Sequence, residues 1–476
     1  MTDIGSIYYQ NIFAARSVRV VTTTQQPASS GFPPTEPMPV ITTRPRWSES
    51  FSSLRVPNYR LFTISNILAM SGTWMQRIAQ DWLVLTLSHS VTAVGVTVAM
   101  QFTPMLVFGL YGGLIVDRYS KRMLLMITQG TIGALAALLA VLALTHTVQV
   151  WQIWAIAFVV GLVVIVDNPT RQVFANELVG PRYLRNAISL NSSVFQMGGL
   201  IGPAVAGFLL DAVGAGWAFA INSVTCVVTV LTLAALNKSK LVKITPLPRA
   251  KGQLKQGLAY VMRKPVIFWT IVMVAILSLF ALTTPVILTA YANDVFKVGA
   301  SGYGLFNTLV AAGAFTGAIL STRRKAVRLR TVMLMALLWS LLQALGSIMP
   351  NEVGFGITLV ALGVGNLLFI TAANSLVQMS SNVGIRGRVM SLYVLVLLGG
   401  QAIGGPMMGW IVSTWGPEIG LAVSGLVPAL AAVAIGIHLA RRHQLRVSVS
   451  IQDGSPRIAI IRRARSGESL VDGTTA

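Results

Sequence analysis

Arg185-Asn-Ala-Ile-Ser-Leu190 leads, 17 residues after its arginine, into Gly202-Pro203, and Arg388-Val-Met-Ser391-Leu392 leads, at the same spacing, into Gly405-Pro406. An arginine followed within four residues by a Ser-Leu pair, and a Gly-Pro pair at the same offset from each arginine, point in two long apolar segments to an internal duplication. Each run starts at a basic stretch and opens the fifth apolar segment of its half. Parallel repeats of this kind place a solute site near the membrane midplane, where the halves meet. Gly202, Pro203, Gly405 and Pro406 are expected to serve helix packing.

Outward from these two runs, a helix crosses a membrane with about 20 apolar residues. Such helices are expected near 62–87, 91–113, 123–144, 150–172, 187–212, 216–236, 266–291, 302–322, 331–350, 353–376, 389–413 and 419–440. The fold expected is therefore an all-α integral membrane protein, with twelve transmembrane helices in two six-helix pseudo-repeats. Residues 1–55, rich in Ser, Thr, Pro and Arg, form a disordered cytoplasmic tail in this reading. A bundle at 56–236, a linker at 237–265 with an amphipathic helix at Gln253–Arg263, a second bundle at 266–440 and a disordered tail at 441–476 complete it.

Composition supports a membrane as the solvent. Of 476 residues 54% are hydrophobic and 11% charged, against roughly 25% charged in a soluble domain; mean hydropathy is +0.70. A net charge of +22 would raise nucleic-acid binding in a soluble protein. Here the basic residues fall in short runs between apolar segments, the pattern of the positive-inside rule, and no nucleic-acid partner is expected. Cys226 is the only cysteine, so no disulfide framework arises. The four histidines are scattered and no phosphate loop occurs, so no metal, no cofactor and no direct ATP drive are expected.

Orientation follows from the loops. Arg118, Lys121 and Arg122; Arg182 and Arg185; the basic run from Lys238 to Lys264; Arg323 to Arg330; and Arg386 and Arg388 share one side, against Lys297 beside Asp294, Glu352 and Glu418 on the other. That bias puts both termini in the cytoplasm of a cell whose inner (plasma) membrane holds the chain.

Charge inside the spans is rare and therefore informative. Arg77 lies near the bilayer centre in the first span, with Asp81 one turn further out. Asp81 is the candidate proton carrier, and Arg77 its partner or a contact for a substrate anion; a self-neutralising i,i+4 pair is the plainer alternative. Gln76, Gln80, Asn66 and Gln101 are expected to add hydrogen-bonding capacity to the same cavity. The second half has almost no titratable group in its spans. Asn307, Gln343, Asn366 and Asn374 supply polarity there, beside an apolar wall of Phe268, Trp269, Phe280, Phe306, Phe315 and Phe369. Glycine pairs at four-residue spacing (Gly313/Gly317, Gly400/Gly404, Gly405/Gly409) permit close helix contact.

A candidate cytoplasmic gate begins with Gly113-Leu-Ile-Val-Asp117-Arg118-Tyr-Ser-Lys121-Arg122. Gly113 lets helices approach, and Asp117 can sit at another helix's positive end. On the fourth span Asp167 and Arg171 stand at i,i+4, with Asn168 beside them and Pro169 interrupting the backbone ladder. Arg171 is expected to alternate between Asp117 and Asp167, with Arg388 part of the same gate; a static interfacial salt bridge is the alternative.

The Gly113–Arg122 loop resembles the signature loop of the major facilitator superfamily, with Ser120 where that family usually has Gly. Three further stretches resemble one branch, the enterobactin-exporter and Tap-like drug-efflux permeases. They are Asp167-Asn-Pro-Thr-Arg-Gln172 with Glu177-Leu-Val179, Arg386-Gly-Arg-Val-Met-Ser-Leu-Tyr393, and Gly72-Thr-Trp-Met-Gln-Arg-Ile-Ala-Gln-Asp-Trp-Leu83. The resemblance covers residues 55–440. It implies a secondary active transporter, not an enzyme, that exports a small amphiphilic solute (a drug or siderophore) by proton antiport. Its expected partners are the small-molecule substrate, protons and the lipid bilayer, and the expected state is a monomer. An uptake symporter, a lysophospholipid transporter and a transport-inactive scaffold or sensor are the alternatives.

Overall fold

The structure, a computed structural model, describes residues 51–237, 253–322, 327–442, 445–452 and 455–462. The tail before residue 51, the basic residues from Lys238 to Lys251, and Arg323, Arg324 and Lys325 lie outside the described residues. The helices are α1 (Pro57–Ser88), α2 (Val91–Arg118), α3 (Lys121–Leu144), α4 (Val150–Gly180), α5 (Arg182–Ala212), α6 (Ala215–Ala235), α7 (Gln253–Arg263), α8 (Pro265–Val295), α9 (Gly299–Ser321), α10 (Leu329–Gly346), α11 (Glu352–Ser380), α12 (Arg386–Trp415) and α13 (Pro417–Arg442). Strands β1 (Leu445–Gln452) and β2 (Ser455–Arg462) follow.

Eleven of these helices are long and apolar enough to cross a membrane. The twelfth span is α1: at 32 residues it is about 48 Å long, but Asn66, Gln76, Arg77, Gln80 and Asp81 lower its hydropathy. With the short α7 as linker, six spans precede and six follow, and the fold is the two-bundle membrane architecture expected.

The elements depart from expectation in four places, each for a local reason. No glycine or proline lies between Gln172 and Val179, so α4 runs on past 172. It turns only at Gly180, whose φ of +66° favours glycine and which precedes Pro181. In α8 the helical ladder breaks at 281–283, just before Pro285, which has no N–H to give. The end of the 1–55 tail is ordered: Ser52–Arg55 form a 3-10 turn, and buried Ser53 donates from N (2.9 Å) and Oγ (2.5 Å) to Asn186 Oδ1 at the start of α5. The 441–476 tail, expected without structure, holds the antiparallel pair β1–β2, with Val447 opposite Ile460 and Val449 opposite Ile458. Leu445, Val447, Val449 and Ile451 alternate with polar residues, the period-two pattern of a strand.

The two bundles meet through small residues. A Cβ on Gly95 of α2 would stand 2.2 Å from the Gly405 carbonyl of α12, and one on Gly304 of α9 would stand 2.5 Å from the Gly207 Cα of α5. The second and fifth spans of one half thus cross the fifth and second of the other, as a duplicated chain requires. Of the paired glycines, Gly405 and Gly409 serve this seam, Gly409 meeting Val91, whereas Gly313 and Gly317 meet Val360 and Val364 of α11, and Gly400 and Gly404 meet Ser278 and Leu279 of α8, inside the second bundle. The hydrogen bonds between the halves, among the described residues, lie toward the end away from the lysine- and arginine-rich loops, the far end. There Thr92 N and Oγ1 lie 3.2 and 3.0 Å from Ser413 Oγ, and Asp211 accepts from Ser301 N at 3.1 Å.

Candidate functional site

Helix α1 positions the charges by its pitch. At 100° per residue, Trp74, Arg77 and Asp81 share a stripe, and at Asp81 that stripe meets the other half. Asp81 is 1% exposed. Its Oδ2 accepts from Tyr303 Oη of α9 at 3.3 Å, and its Oδ1 is buried with no hydrogen-bond partner among the described residues. Tyr303 is fully buried and stacks on Trp82, centroids 5.8 Å apart. Sequence reasoning did not single out Tyr303. A phenol one residue from a helix crossing carries no local signal that it will meet an acid on a helix of the other half.

Arg77 does not close an ion pair with Asp81 within 4 Å. Its guanidinium lies 5.1 Å from the Trp74 ring centroid and 5.4 Å from that of Phe102 on α2, a cation–π contact on either side. The amides expected in the same cavity are divided by the helix's own rotation. Gln76 accepts from Asn222 of α6 and Gln80 donates to the Ile153 carbonyl of α4 at 3.4 Å, both inside the first bundle. Asn66 lies eleven residues from Arg77, about 16 Å along the axis, in a different network. Gln101 sits where α2 and α4 approach at Gly161, with its Oε1 buried and unpartnered among the described residues.

That other network surrounds Arg171. The guanidinium donates to Asp167 Oδ2 at 2.5 Å and to Asn66 Oδ1 at 2.5 Å. Asp167 Oδ1 also accepts from Thr128 (2.7 Å) and Gln129 (2.9 Å) of α3, and Asn66 donates to Asn191 of α5 at 3.2 Å. Arg171 and Asp167 are 5% and 3% exposed, so a hydrogen-bonded pair is the form in which these charges can stay buried. Nearby, Lys121 lies 3.8 Å from Glu177. Arg122 donates to the last carbonyls of α6, Leu233 (2.5 Å) and Ala234 (2.6 Å). Asp117 is half-buried and Arg118 exposed at the end of α2, the helix that also carries Gly113. Asn168 is exposed and Pro169 half-buried in α4. Arg388, half-buried, donates to Gln256 of α7 and does not reach the α4 pair.

Of the aromatic wall expected in the second half, Phe306 and Phe369 are packing. Phe306 joins Tyr291, Phe296 and Phe355 in a ring cluster, and Phe369 lies against Trp339. Both are buried at 3% or less. Helix α7 is amphipathic as expected, with Val261 buried and Leu258 and Met262 exposed. Its Tyr260 Oη accepts from Asn382 N at 3.2 Å.

Two six-helix bundles that meet along α2–α12 and α5–α9 and hold charge at their seam can rock about it, and such a molecule is a membrane transporter. The chain matches the major-facilitator family described as transmembrane secretion effector over residues 48–471, and it belongs to that family. Enterobactin exporter EntS of Citrobacter koseri is 23% identical over 421 residues, 87% of this chain and 99% of that one. The Staphyloferrin A transporter of Staphylococcus aureus is 26% identical over 53% of this chain and 64% of its own length. Among solved structures, an inward-facing, unoccupied bacterial homolog of the human lysosomal transporter Spinster aligns with a TM-score of 0.63 at 14% identity, covering 84% of this chain and 98% of that one. These relatives and neighbours are transporters, not enzymes.

Proposed function

We propose that this chain exports a siderophore-like or otherwise amphiphilic small solute in exchange for protons, from a bacterial inner membrane with both termini in the cytoplasm. The observation that carries the reading is Asp81: a buried carboxylate of the first half, hydrogen-bonded by Tyr303 of the second, on the seam that must open and close. A proton taken up there changes a contact between the halves, which is what coupling requires. The named relatives support export, and the lysine and arginine bias of the loops supports the orientation. The basic end is then the cytoplasmic mouth.

Reconstituted liposomes with an internal pH-sensitive dye, challenged with ethidium and with a catecholate siderophore, test the reading. Solute-dependent proton flux that disappears in Asp81→Asn is expected. Solute movement with unchanged proton flux in that variant makes Asp81 structural, and movement only with the proton gradient makes the chain an uptake symporter.

The Arg171–Asp167 pair is, in this reading, one position of the cytoplasmic gate, and Asp117 offers Arg171 the other. Arg171→Ala and Asp117→Asn are each expected to slow transport at least tenfold, the consequence of losing about 1.5 kcal/mol from one gate position. Full transport in both variants removes the switch.

A further inference from the structure

The stripe that carries Asp81 also carries Arg77, whose guanidinium has neither a hydrogen bond nor a close ion pair among the described residues. Its near neighbours are the rings of Trp74 and Phe102. The nearby carboxylate, Asp81, is engaged by Tyr303 instead. Phe195 of α5 stands edge-on to Trp74 at 5.8 Å and is 50% exposed. Trp74, Arg77 and Phe102 stand on helix faces that meet the other half further toward the far end, and Phe195 stands beside them. Phe102 lies on the face of α2 that bears Gly95, Val98 and Leu106, all of which meet α12. Phe195 lies two turns before Pro203 on α5, whose carbonyl meets Gly304 of the other half. Trp74 and Arg77 lie on the face of α1 that reaches Tyr303.

A guanidinium presents five N–H donors in one plane and matches a planar oxyanion. A charge held in an apolar span is costly unless something meets it, and here Asp81 is near but beyond ion-pair distance, so the groups in contact are ring faces. The donors are therefore left for a visitor, framed by rings that would stack on a flat partner.

We infer that Trp74, Arg77, Phe102 and Phe195 form a recognition site for a planar aromatic anion, a ring bearing an acidic group, whose oxygens take the Arg77 donors while its ring lies against Phe195 and Trp74. The inference rests on the transporter reading above and gives that transporter a substrate class. An aliphatic anion would use the charge without the rings. A flat cation would use the rings against the charge.

Equilibrium binding to the purified full chain in lipid nanodiscs tests this with three probes: salicylate, cyclohexanecarboxylate and ethidium. Salicylate is expected to bind tightest. Arg77→Gln should weaken it about tenfold or more, as losing a charge-assisted contact does. Trp74→Leu should weaken it about fivefold while Trp74→Phe keeps it, because a ring remains to stack. The Trp74 pair decides the matter even where Arg77→Gln does not fold. Equal binding of the two anions, tighter binding of ethidium, or a Trp74→Leu protein that binds salicylate like wild type each overturns the site. Proton coupling fails separately: proton flux that survives Asp81→Asn sinks that reading and leaves the order of the three probes untouched. If none of the probes binds while liposomes still move ethidium, the site falls and the transporter stands.

Discussion

Tyr303 and Asp81 belong to different halves, and their single hydrogen bond ties a protonatable group to the closure of the far end. The charged or titratable groups near Asp81 are Arg77, on its own helix, and Tyr303. An ionised Asp81 takes the phenol's proton as a charge-assisted bond, worth about 1.5–3 kcal/mol, and a neutral one takes it for about 0.5–1.5 kcal/mol. If Asp81 carries the proton, as proposed above, the ionised, empty transporter is held shut at the far end and does not carry protons around the cycle without a solute. Tyr303→Phe keeps the ring that stacks on Trp82 and removes only the hydroxyl. It is expected to leak protons in solute-free liposomes under a membrane potential, about tenfold faster than wild type, the ratio that 1.4 kcal/mol corresponds to. The double variant Tyr303→Phe/Asp81→Asn should be tight again. A Tyr303→Phe protein as tight as wild type, or a double variant that still leaks, shows that the bond does not guard the cycle.

Helices were legible in the sequence to the degree that their signals were local. The apolar runs, the Gly-Pro pairs and the four-residue glycine spacings each report a property of one segment, and all reappear as spans and crossings. What escaped depends on which way a helix turns or on what another helix brings. Gln76 and Gln80 are one residue from Arg77 and Asp81, yet that residue rotates them about 100° into the first bundle. Phe306 and Phe369 are aromatic in a span, and only their neighbours make them core. The β1–β2 pair was readable, since Leu445 to Ile451 alternate strictly, but a basic, hydroxyl-rich tail masked the pattern. The crossings give a prediction at this scale. A Cβ on Gly95 runs into the Gly405 backbone, which cannot move aside as a side chain can, whereas a Cβ on Gly130 of α3 meets nothing within 4 Å. Gly95→Ala is expected to push the far ends of α2 and α12 apart; Gly130→Ala should leave them in place and raise stability by about 0.5–1 kcal/mol. Spin labels at His89→Cys and Glu418→Cys, both exposed at the far end, report the separation, and thermal melting in detergent reports the stability. An unchanged distance distribution in Gly95→Ala would show that this crossing does not set closure.

Across the whole molecule, closure of the far end rests on pairs of contacts that mirror one another. The second span of each half lies against the fifth of the other, through Gly95 with Gly405 and through Gly207 with Gly304. Each crossing is fastened beyond its glycines by polar groups. Thr92 and Ser413 fasten one. Asp211, facing the amide of Ser301 in the first turn of α9, fastens the other, where the helix dipole favours a carboxylate. Each fastening is weak: an exposed carboxylate at a helix N-terminus contributes about 0.3–1 kcal/mol, and a neutral hydrogen bond about 0.5–1.5 kcal/mol. Fastenings this weak hold the halves at rest and still yield when a solute binds, which a rocking mechanism demands. A covalent fastening at the same place should not yield. With Thr92 Oγ1 and Ser413 Oγ 3.0 Å apart, cysteines at the two positions are close enough for a disulfide of about 2.05 Å. The native Cys226 is buried at 1% and stays out of the reaction. Thr92→Cys/Ser413→Cys is expected to transport normally when reduced and to stop when oxidised, with salicylate or ethidium still reaching the protein from the basic side. If the oxidised protein kept turning over, the far end would not have to open, and rocking about these two crossings would not be how this transporter works.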